Sequence, residues 1–146
     1  PANANIFTPS RDERITHVAS TGNSFFCFTA NNVYKYAGSG DAGYEGPVQV
    51  GPGMGIRPTG IAHAIQDGIV YQGQKGFYLL NPRGGRPQYF SGPVQSYDDE
   101  KPVGVAVSDA MQTIFIGLGG SSKTILLYNW EFKMWTTWNF LGETLS

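Results

Sequence analysis

The sequence predicts an all-β chain built as three consecutive four-stranded antiparallel blades, and three observations predict it. Glycine (20 residues) and proline (9) are abundant while only 14% of the 146 residues are charged, the mixture expected of many short strands joined by tight turns. Segments of one character recur at a step of about 44 residues, a length that marks repeated architectures. The first segment of each unit is apolar or small at both alternating positions, as in a strand covered on both faces.

The first strands are predicted near 15–19 (Ile15-Thr16-His17-Val18-Ala19), 61–65 (Ile61-Ala62-His63-Ala64-Ile65) and 103–107 (Val103-Gly104-Val105-Ala106-Val107). Second strands follow at 25–28, 69–72 and 113–116, starting 44 residues apart each time. Third strands are predicted at 33–36, 77–80 and 125–128, each after a polar or glycine-rich turn. Fourth strands are the edge candidates Val48-Gln49-Val50, Gln88-Tyr89-Phe90 and Thr136-Thr137-Trp138-Asn139-Phe140.

A four-stranded meander repeated at this period matches the blade of a β-propeller. A sandwich or a jelly roll shares the composition but gives no reason for the echo. The units fill residues 14–141. Residues 1–13 read as an N-terminal extension or a strand completing a preceding blade, and 142–146 as a C-terminal tail.

Three blades are fewer than the four to eight that usually close a propeller. The expectation is therefore a larger propeller, association of copies, or a partner over the end blades, with Ile15, Phe25, Leu127 and Trp138 on faces left open. A chain that opens on Pro1 and not on Met is likewise expected of one processed, excised or read from within something longer.

Lys plus Arg total 10 against 11 Asp plus Glu, so there is no positive excess to hold nucleic acid through its phosphates. Cys27 is the only cysteine, which excludes an intramolecular disulfide and suits a small buried hydrophobe. Cys27, Tyr71 and Phe115 all fall in second strands and are expected to be buried. No run approaches the ~18 apolar residues of a membrane helix, and Pro1-Ala2-Asn3-Ala4-Asn5 lacks the build of a signal peptide.

Five features of the sequence bear on chemistry. Gly117-Leu118-Gly119-Gly120-Ser121-Ser122-Lys123-Thr124 approaches the phosphate-cradling pattern G-x-x-x-x-G-K-[ST], but Ser122 stands where the second glycine belongs and a strand, not a helix, is predicted behind it. Gly51-Pro52-Gly53-Met54-Gly55 is read as a loop between blades. His17 and His63 occupy matching positions in adjacent first strands and are expected to be neighbours, packed and hydrogen-bonded. Asp98-Asp99-Glu100 reads as a solvated loop. Trp130, Trp135, Trp138, Phe132 and Phe140 crowd the last blade, where blade packing competes with a sugar platform or a protein interface. No catalytic, cofactor-binding or metal-ligating residue is assigned, and no nucleophile elbow is present.

The run Phe25-Phe26-Cys27-Phe28-Thr29-Ala30-Asn31-Asn32-Val33-Tyr34-Lys35-Tyr36, the crossing Gly55-Ile56-Arg57-Pro58, the run Gly68 to Tyr78, and Leu127-Tyr128-Asn129 followed by Trp135-Thr136-Thr137-Trp138-Asn139-Phe140 carry a resemblance. They resemble the propeller part of the tail nozzle (tubular tail), head-to-tail connector and DNA-stabilisation proteins of short-tailed phages. The resemblance implies a non-catalytic virion structural subunit in the tail or portal region. It further implies contacts with other virion proteins and with copies of itself in a ring that borders packaged DNA. Kelch blades share a comparable Tyr…Trp spacing, so the alternative is a carbohydrate- or protein-binding propeller of lectin or Kelch type. A propeller glycosidase would need converging carboxylates, which the first strands do not offer.

Overall fold

The computed structural model describes residues 13–22, 24–39, 43–83, 85–120 and 123–139. Aromatic and β-branched residues alternate along short runs there, and the runs pair as strands. The first sheet contains β1 (His17–Thr21), β2 (Ser24–Phe28), β3 (Val33–Ser39) and β4 (Gly43–Gln49). The second contains β5 (Ala62–Ile65), β6 (Gly68–Gln72), β7 (Phe77–Leu80) and β8 (Gln88–Tyr89), and the third β9 (Pro102–Ser108), β10 (Thr113–Leu118), β11 (Thr124–Asn129) and β12 (Met134–Asn139). Each is a four-stranded antiparallel meander with its strands in chain order. The predicted all-β fold with three four-stranded units is what forms.

Most strand ends fall within a residue or two of expectation, β3 runs three residues further to Ser39, and two strands are displaced. β1 starts at His17 and not at residue 15, although Thr16 still donates its backbone N–H to the carbonyl of Phe28. β4 starts at Gly43, well before Val48, because Gly46 and Pro47 read as a turn in sequence. An edge strand tolerates such residues, since its outer side needs no ladder partner. The register shift between Lys35 and Ala37 absorbs the irregularity. A short 3₁₀ segment, Gly92–Tyr97, precedes the third sheet, and it is far below three turns of α-helix. Phe140 and the 1–12 and 142–146 extensions lie outside the described residues.

The sheets stack, and the strand alternation decides what each face buries. Ile69 and Tyr71 of β6 point toward the first sheet, joining Phe26, Phe28, Val33, Tyr78 and Leu80 in one core. Val70, the residue between them, points the other way and packs with Ile114, Ile116, Leu126 and Tyr128 of the third sheet. Every residue of β6 is buried as a result.

Two-sided burial thus belongs to the second and third strands of the middle sheet, and the expectation for the first strands is overturned. β1 alternates half-buried with exposed positions, and β9 leaves Val103 68% exposed. Small side chains there reflect close approach, since β1 and β5 lie against one another, and not full enclosure. Among the described residues no helix is long and apolar enough to cross a membrane.

Candidate functional site

The features singled out in the sequence do not converge. His17 donates its Nε2–H to the Gly60 carbonyl, 2.9 Å away, and so lies in the space between the first and second sheets. His63 pairs across the ladder with Val70, on the face turned to the third sheet, and its Nδ1 meets the carbonyl of Ala64 at 3.3 Å. The expectation that the two are packed neighbours fails, because Ala62 and Ala64 are the β5 residues turned toward the first sheet, which leaves His63 exposed on the opposite face. Among the described residues no group of three metal-capable side chains forms.

The Lys123 loop is followed by strand β11. Gly119 N–H donates to the carbonyl of Lys101, and the Glu100 carboxylate lies against Gly120, where an added Cβ would sit 2.5 Å from Oε2. A carboxylate beside the loop and a strand behind it are the reverse of what a phosphate cradle supplies. Gly51 to Gly55 forms part of the crossing between sheets one and two, as expected, and Gly55 passes so close to Ala30 that a Cβ would meet its carbonyl carbon at 2.3 Å.

Asp98 corrects the solvated-loop reading of Asp98-Asp99-Glu100. Its carboxylate is buried and accepts hydrogen bonds from Ser91 Oγ at 2.6 Å and Tyr89 OH at 2.5 Å. Ser91 Oγ in turn accepts from the Phe77 N–H. The hydrogen bond to Asp98, then burial, pushes the Tyr89 phenol above its ordinary pKa. Gly76, at φ +142°, leaves the room this carboxylate occupies, since a Cβ would meet Asp98 Cγ at 2.4 Å. Gln72 Nε2 donates to the carbonyls of Asp98 and Glu100. Arg57 binds the carbonyls of Gly73 and Gln74 and forms a 2.6 Å ion pair with exposed Asp99.

These groups fasten the crossings between sheets. Glu13 does similar work on the first sheet, accepting from Thr29, Asn32 and Tyr34 around the β2–β3 turn. Sequence reading missed both carboxylates, because nothing local distinguishes a buried Asp or Glu from a solvated one.

The tryptophans divide by strand alternation. Trp135 faces inward, 5.0 Å from Phe90 and 5.1 Å from Tyr128, with its Nε1–H donated to the Phe90 carbonyl. Trp138, an odd number of residues on, faces outward and is 48% exposed. Its ring lies 6.0 Å from Phe115.

That outward face is built from alternate residues of the four strands. Cross-strand register places Gly104, Gly117, Ile125 and Trp138 in one row. Ala106, Phe115, Leu127 and Thr136 form the next, and Ser108, Thr113, Asn129 and Met134 the third. None of the three rows carries a charge. Val103, Met134 and Trp138 are the large exposed side chains at its margins, while Phe115 is half-buried and Leu127 is buried within it. The predicted burial of Cys27 and Tyr71 holds, and that of Phe115 does not, since it points away from the second sheet. Of the four side chains expected on open faces, Ile15 and Trp138 are exposed, whereas Leu127 is buried and Phe25 is half-buried and stacked on Tyr36 at 4.7 Å.

No protein-family model matches the sequence, and comparison with curated proteins gives no match.

Proposed function

We propose that the chain is a non-catalytic structural subunit of a virus particle, three blades of a β-propeller in a phage tail or head-to-tail connector. It acts by assembling with other virion proteins and with copies of itself in a ring. The observation that carries the assembly reading is the uncharged outer face of the third sheet. The faces between the sheets are filled by two shared cores, whereas Val103, Met134 and Trp138 meet solvent here. An apolar sheet face of this kind is typical of an interaction surface. The blade reading is supported by the 44-residue echo and by the stacking of three meanders with β1 against β5. The virion part rests on the resemblance in the β2–β3, Gly55-Ile56-Arg57-Pro58, β6–β7 and β11–β12 segments.

Two measurements test the proposal together. Sedimentation of the purified chain is expected to show concentration-dependent association that Trp138→Gln weakens, and mass spectrometry of purified virus particles is expected to find its peptides. A chain that stays monomeric at every concentration and is absent from particles overturns the reading.

A further inference from the structure

A second surface, independent of the assembly reading, lies where the hairpin ends of the second and third sheets meet. The β5–β6 turn brings Asp67 there, the β7–β8 connection brings Asn81 and Arg86, and the β11–β12 turn brings Trp130 and Lys133. Together they border a cavity of about 480 Å³, within the roughly 300–1,000 Å³ of small-molecule sites. Its floor is fixed: Trp130 is buried, and its Nε1–H is held by Gln66 Oε1 at 3.2 Å across the two sheets. The rim is polar. Asn81 uses its Oδ1 to accept from the Arg83 N–H, which leaves its amide N–H groups directed elsewhere.

The charges around this cavity are the informative feature. Arg86 and Lys133 are exposed, Asp67 is half-buried, and none of the three forms an ion pair among the described residues. Opposite charges that border one cavity without pairing are each available to an occupant. Two cations against one carboxylate leave a surplus of one positive charge, which suits a ligand with a single negative charge. The carboxylate repels polyanions such as nucleotides and calls for hydroxyl donors. We propose that this cavity binds an acidic saccharide, a pyranose bearing one carboxylate. Arg86 and Lys133 take the carboxylate, where the planar guanidinium offers a two-pronged match. Asp67 accepts from ring hydroxyls, and Trp130 with Leu79 forms the apolar floor.

Glucuronate titrated into the ¹⁵N-labelled chain provides the test, followed through the Trp130 indole resonance, which Trp130→Phe identifies. The expected result is a saturable shift at millimolar concentration. Arg86→Ala should weaken it at least about five-fold, Asp67→Asn should weaken it too, and glucose should bind several-fold more weakly. Arg86 is exposed, so its variant should melt like the parent and report binding alone. Acetate and inorganic phosphate form the control arm. Absence of a saturable shift with glucuronate, or equal affinity for phosphate or acetate, overturns the assignment, as does a response unchanged by Arg86→Ala.

Discussion

Asp98 shows how much one residue's setting controls. It holds Ser91 and Tyr89 through charge-assisted hydrogen bonds inside the protein, where such bonds contribute about 1.5–3 kcal/mol each. Asp98→Ala is therefore expected to lower unfolding free energy by about 3 kcal/mol, read from denaturant titration. Exposed Asp99, despite its 2.6 Å ion pair with Arg57, should cost under about 1 kcal/mol when removed. Neighbouring residues of β10 offer a second contrast. Ile114→Ala should cost about 2–5 kcal/mol because Ile114 is fully buried between sheets. Phe115→Ala should cost about 1–2 kcal/mol, since part of its side chain already meets solvent. Equal costs for the two would mean that the register of β10 is wrong. Tyr71 predicts the pH behaviour. Burial, and secondarily Tyr78, raises its phenol pKa above the ordinary value of 10.0, so the folded state favours the protonated form. That contribution is complete below about pH 10 and is lost as pH rises beyond it. Thermal midpoints should therefore fall above about pH 10, less steeply in Tyr71→Phe.

At the scale of elements, strands and their order were legible and edges were not. β7 forms at Phe77–Leu80 as predicted, because Phe77-Tyr78-Leu79-Leu80 is bounded by Gly76 and by the Asn81-Pro82 turn. β4 was misplaced because turn residues inside an edge strand look like a turn from sequence alone. The Lys123 loop joins two strands of a hairpin, and Thr124 Oγ1 donates to Asn139 Oδ1 in β12. Magnesium ATP is accordingly expected to leave the melting temperature unchanged, in the parent and in Lys123→Ala alike. Saturable stabilisation lost in that variant would restore the phosphate reading.

For the whole molecule, the stack of three sheets makes the middle one the best protected and leaves the outer face of the third without a covering sheet among the described residues. Trp138→Gln is expected to reduce association without lowering stability by more than about 1 kcal/mol, because the side chain is half in solvent. Sedimentation and denaturant unfolding of the same variant separate the two effects. A large loss of stability would mark Trp138 as a core residue instead. The sequence by itself determined the all-β class, the three units and nearly every strand, because pleat alternation and turn chemistry are local and repeat at a readable period. Only the tertiary structure decided which apolar face is covered, that Asp98 and Glu13 are internal anchors, that His17 and His63 lie in separate spaces, and that Asp67, Arg86 and Lys133 meet at one cavity. The physical reason is that burial and electrostatic pairing depend on which sheet lies opposite. That contact joins residues tens of positions apart, and no local pattern of side chains encodes it.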